Sequence, residues 1–86
     1  MIELPAQDIP IAIETDSEVI EAWSYTGANE TLTIVFKKGG DVWEYAGVPY
    51  DVANEMRNAR SKGLYFLRNI KPEFKGALAS KGAKKK

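Results

Sequence analysis

Thr31-Leu32-Thr33-Ile34-Val35-Phe36, followed by Lys37-Lys38-Gly39-Gly40, is the stretch that decides the fold. Leu32, Ile34 and Phe36 alternate with Thr31, Thr33 and Val35, so period two holds without a break and the segment reads as a β-strand with one face on a core. The paired glycines can adopt positive φ and close a tight turn. Beyond that turn, Asp41 to Val48 returns as a second strand, with Trp43 and Tyr45 on one side and Val42, Glu44 and Ala46 on the other. Before it, Val19 to Tyr25 is β-rich, and Thr26 to Glu30 supplies the residues of another hairpin turn. These three segments predict an antiparallel meander. Ile9, Ile11 and Ile13 also alternate, and Pro10 confines any strand near residues 11 to 14 to a sheet edge.

Val48-Pro49 ends the meander, because proline cannot donate to a ladder yet suits the first turn of a helix. A helix is predicted from Pro49 or Tyr50 to about Ala59, with Val52, Ala53, Met56 and Ala59 as its apolar stripe. Ser61 is a candidate N-cap for a second helix, which runs through Leu64, Tyr65, Phe66, Leu67 and Ile70 until Pro72 stops it. The fold class is therefore α+β: a three-stranded antiparallel meander, with an optional fourth N-terminal edge strand, packed against two short C-terminal helices. The expected division is an N-terminal extension over 1–12, a domain over 13–75 and a flexible basic tail over 76–86.

The 86 residues include no cysteine and no histidine. Cysteine nucleophiles, thiolate metal sites and disulfides are thereby excluded, and the usual general base is missing. Neither a calcium-loop spacing nor a nucleophile elbow is present, so no catalytic residues, no metal and no cofactor are expected. No apolar run approaches the roughly 18 residues of a membrane span, and the composition predicts a soluble cytoplasmic protein. Twelve basic side chains balance twelve acidic ones, but unevenly. Residues 1–36 carry seven acids and no Lys or Arg, whereas residues 37–86 hold all twelve basic residues against five acids, leaving the halves at −7 and +7. Such a dipole can close on itself or present a basic face to an anion.

Taken together, Ser17…Ile20…Trp23-Ser24-Tyr25, Leu32 to Phe36 with Gly39-Gly40, Trp43-Glu44-Tyr45…Val48-Pro49, and Ala59-Arg60-Ser61-Lys62-Gly63-Leu64-Tyr65-Phe66 resemble the KTSC domain. That domain occurs at the carboxyl end of some lysyl-tRNA synthetases and alone in bacteria and phages. The likeness spans about Ile13 to Phe74. It implies RNA binding by association with a synthetase, and the family carries no assigned activity of its own. Three positions depart from the family pattern: Trp43 replaces the first tyrosine of a Tyr-x-Tyr, Leu67 stands where asparagine follows Tyr-Phe, and Phe74 alone remains of a final aromatic segment.

Ser61-Lys62-Gly63 carries the most specific local chemistry. A helix start has unpaired N–H groups, Gly63 permits close approach, and Lys62 adds a full charge; the same three residues are also what a cap and a sharp inter-helix turn require. Arg57, Arg60, Arg68 and Lys71 fall within a few turns. The expected ligand-binding set is Trp43, Tyr45, Arg57, Arg60, Ser61, Lys62, Gly63, Tyr65 and Arg68, with cations on phosphate and the rings of Trp43 and Tyr45 stacked on bases. The same rings would serve equally well as core. The expected partners are nucleic acid or a nucleotide and a second copy of the chain in a homo-oligomer. A different reading, from the phage form of the resembled family, is a host-takeover factor that sequesters a nucleotide signal as an oligomer or touches a host protein through the acidic stretch Glu14 to Glu21.

Overall fold

The structure is a computed structural model and describes residues 7–15 and 17–82. The extension through residue 6, Asp16 of the acidic stretch, and the final lysines Lys84 to Lys86 lie outside the described residues. Five strands form one antiparallel sheet in sequence order: β1 (Ile9–Ile13), β2 (Ile20–Thr26), β3 (Thr31–Phe36), β4 (Val42–Tyr45) and β5 (Gly76–Ser80). Between β4 and β5 the chain makes α1 (Tyr50–Asn58) and α2 (Lys62–Tyr65), and α2 continues as a π-helical turn over Phe66–Ile70.

The register follows from the side-chain alternation. Ile34 of β3 stands between Trp23 and Trp43, and Leu32 stands between Tyr25 and Tyr45, so all six share a face. On that face Ala53 and Met56 of α1, with Phe66 and Ile70 of the second helical segment, complete a core in which Ile20, Leu32, Ile34, Val48, Met56 and Phe66 are fully buried. Ser24, Thr33 and Glu44 align across the opposite face. Gly39 and Gly40 both take positive φ in the β3–β4 turn, as that turn requires.

Two expectations are corrected here. The sheet has five strands rather than three or four. Residues 76 to 80, expected to fray, form β5 on β4, and β1 begins at Ile9, inside the supposed extension. The cause is long-range packing: a Cβ at Gly76 would overlap the Tyr45 ring, so only glycine lets that ring lie over the strand, and the Asp41 carboxylate accepts a hydrogen bond from the Gly82 N–H at 2.7 Å just beyond it. The second helix is also not uniform. Its π-helical turn is closed by the Lys71 N–H donating to the Phe66 carbonyl at 2.9 Å. Among the described residues no helix is long and apolar enough to cross a membrane.

Candidate functional site

Ser61 does cap the second helical segment: its Oγ accepts the Leu64 N–H at 3.2 Å. Opposite it, in the loop entering β2, Ser17 makes a similar local turn, its Oγ accepting the N–H groups of Val19 at 3.1 Å and Ile20 at 3.0 Å. The two serines face each other because α2 docks on this loop through Gly63. A Cβ at that position would lie 3.1 Å from the Ser17 Oγ and 3.2 Å from the Val19 Cβ, so close approach accounts for the glycine. Gly63 is buried there.

Between the serines lies a polar hollow of about 250 Å³ lined by Glu14, Ser17, Arg60, Ser61 and Lys62. An adjoining hollow of about 310 Å³ is lined by Ser17, Glu18, Val19, Ser61, Gly63 and Leu64. The corner thus contains a carboxylate of its own, but Glu14 accepts the Trp23 indole N–H at 2.9 Å and so serves the core. The Lys62 ammonium turns back to the Ala59 carbonyl at 3.1 Å, and the Lys37 ammonium holds the Ser17 carbonyl at 2.9 Å from the other side. Among the described residues no carboxylate pairs with Arg57, Arg60, Arg68 or Lys71.

The expected set therefore divides. Arg60, Ser61, Lys62 and Gly63 come together with Ser17 and Glu14. Arg57 and Arg68 are exposed on α1 and the π-helical turn but line neither hollow. Tyr65 is committed elsewhere: its hydroxyl donates to Glu55 Oε1 at 2.8 Å and ties the helices together. Burial first, then the Glu55 hydrogen bond and charge, push this phenol up to about 12. Tyr45 offers no stacking face, because it is 4% exposed and its ring meets Phe66 edge-on at 5.2 Å. Burial pushes its phenol up as well. Trp43, by contrast, is only half-buried.

A third hollow, of about 290 Å³, is lined by Phe36, Trp43, Tyr45 and Lys71. Lys71 therefore belongs to the Trp43 side rather than to the Ser61 corner, which it neighbours in sequence. Ser17, Phe36 and this role for Lys71 were absent from the expected set. Ser17 had one local signal, a serine just ahead of a strand, which is how such turns begin.

Comparison with known proteins agrees with the architecture. The KTSC domain model matches residues 16–74. The chain belongs to the KTSC domain family. A KTSC domain protein of Yersinia pestis, known from its crystal structure, superposes with a TM-score of 0.70 at 29% identity, over 79% of this chain and 96% of that one. Lysine–tRNA ligases of Nostoc sp. and Nostoc punctiforme are 40% and 41% identical over 63 residues, or 73% of this chain. The chain spans 11% of the length of those ligases. The KTSC match brackets both serines of the corner and both tryptophans.

Proposed function

We propose that this KTSC domain is a non-catalytic module that binds a phosphate-bearing ligand, most simply RNA or single-stranded DNA, with Arg60 and Lys62 at the Ser17–Ser61 corner as the centre of contact. The observation that carries the reading is the polar hollow at that corner, where a guanidinium with no carboxylate partner among the described residues stands beside a lysine and two serines. Arg57 and Arg68, exposed and without a carboxylate partner among the described residues, add cations before and after this corner in the chain. Glu14 keeps its negative charge, since the indole that holds it is a neutral donor, but it sets one charge against the two of Arg60 and Lys62 in that lining. The resemblance to a segment of lysine–tRNA ligases supports RNA as the polymer, by association.

The test is binding of a labelled single-stranded oligonucleotide across a salt series. With two to four phosphates neutralised, log K is expected to fall with log salt at a slope of about −1.5 to −3. Arg60→Ala should make the slope shallower by about 0.7 while weakening all sequences alike. Lack of association at low salt, or full affinity in Arg60→Glu, defeats the proposal.

A further inference from the structure

The hollow on the β4 side of Phe36 is of a different kind from the serine corner. Three of its four lining residues are aromatic, and the fourth is a lysine with no carboxylate partner among the described residues. Its volume, about 290 Å³, lies at the small end of the range for small-molecule sites, which suits one planar ring system. The walls are held in place. Phe66, fully buried, meets Phe36 edge-on at 5.7 Å and Tyr45 edge-on at 5.2 Å, so two of the rings are packed against one core side chain. Trp43 is the adaptable element: it is half-buried, and among the described residues its indole N–H has no protein acceptor.

The π-helical turn explains why the lysine is there. In an α-helix, Lys71 would stand about 140° around the axis from Phe66 and face away from the sheet. A turn closed by the bond from the Lys71 N–H to the Phe66 carbonyl returns Lys71 to nearly the same side as Phe66, beside the rings packed against Phe66. The widened turn has the effect of bringing a cation to the rim of an aromatic hollow.

We propose that the Phe36–Trp43–Tyr45–Lys71 hollow is a nucleotide pocket, in which a base stacks on the Trp43 indole while Lys71 holds the attached phosphate. The inference rests on the phosphate-binding reading of the domain and assigns the base a place that the serine corner does not supply. Stacking tolerates any base, since each has a π-face, so recognition here is of a base with its phosphate and not of sequence. A free mononucleotide and a nucleotide within a single strand share that chemistry.

The two indole N–H resonances of the intact protein provide the test, assigned with Trp43→Phe, a replacement at a half-buried site. Adenosine 5′-monophosphate should shift the Trp43 signal saturably and leave the Trp23 signal, which is bound to Glu14, in place. Lys71→Ala should weaken that binding at least fivefold while leaving the weaker binding of adenosine unchanged, and inorganic phosphate alone should not move Trp43. If single-stranded oligoadenylate saturates Trp43 at lower concentration than the mononucleotide, the strand is the source of the base; the reverse order identifies a free nucleotide. A Trp43 signal that neither probe moves, or a Lys71→Ala protein that binds the mononucleotide as well as the original, overturns the pocket. If oligonucleotide binding is still lost in Arg60→Glu while Trp43 stays silent, the corner survives and the pocket alone falls. If Trp43 responds but Arg60→Glu binds oligonucleotide normally, the corner falls and the pocket stands.

Discussion

Trp23-Ser24-Tyr25 on β2 and Trp43-Glu44-Tyr45 on β4 are the same Trp-x-Tyr pattern, set in register on either side of β3 and on the same face of the sheet. Their fates differ. On β2 both rings are buried, at 1% and 2% exposure, and both polar tips are bonded: the indole N–H to Glu14 at 2.9 Å, and the Tyr25 hydroxyl to the Val48 carbonyl at 2.6 Å. On β4 only the tyrosine is buried. Trp43 sits opposite Leu78 of β5, itself 46% exposed, and keeps part of its own surface open. Alternation thus fixes which side of a strand a ring takes, while the neighbouring layer decides whether that side is core or surface.

The largest effect expected from this contrast comes from truncating the two indoles. Trp23→Ala should cost about 3–5 kcal/mol, as for other large aromatic residues cut from a core. That is much of the roughly 4–13 kcal/mol available to a domain of this length. Trp43→Ala, which gives up a ring only partly buried against the core, should cost less, about 1.5–3 kcal/mol. Urea denaturation of both variants decides the matter, and equal losses would mean that the two patterns are not distinct.

A smaller effect separates the tyrosines. Tyr25→Phe removes the donor to a buried carbonyl and should destabilise by about 1–3 kcal/mol. Tyr45→Phe removes a hydroxyl that has no protein partner among the described residues, and should cost under about 0.5 kcal/mol. A Tyr45→Phe loss as large as that of Tyr25→Phe would show that the β4 phenol is bonded too.

What could be read in advance follows the range of the interactions. The β3 alternation, the Gly39-Gly40 turn, the Val48-Pro49 helix start and the Ser61 cap are each settled within a few residues, and each stands in the structure close to its expected place. The strand β5 was hidden because Gly76-Ala77-Leu78-Ala79-Ser80 has no β-branched residue, and its strand state comes from pairing with β4 and from the Tyr45 ring over Gly76. The opposition of Ser17 to Gly63 joins distant parts of the chain and leaves no local mark. Lys71 was misplaced because its nearness to Ser61 in sequence was read as nearness in space, across a π-helical turn that sets it on the Phe66 side. Of the expected site, Arg60 to Gly63 lie together because they are contiguous, whereas Tyr45 is buried edge-on against Phe66 and leaves no face for stacking.

The smallest effect expected is in the alkaline titration, and it sharpens the comparison between the two tyrosines. Burial raises both phenols above the ordinary 10.0, but at Tyr25 the nearby carboxylates of Glu30 and Asp8 add to it, whereas at Tyr45 burial acts alone. A phenol whose folded pKa is raised keeps its proton where the unfolded chain has lost it. Its contribution to stability is whole below pH 10.0 and drains away as the pH climbs through the folded value, which for Tyr65 is about 12. Stability should therefore fall between those limits, and Tyr65→Phe should flatten part of the fall. Added salt screens carboxylates near the surface but does not change burial. Followed by tyrosinate absorbance, the Tyr25 ionisation should move toward lower pH as salt rises, whereas that of Tyr45, identified by its loss in Tyr45→Phe, should stay in place. If both ionisations shifted together, the two phenols would have to share one electrostatic environment, and the distinction between a braced β2 pair and a half-open β4 pair would be confined to the indoles.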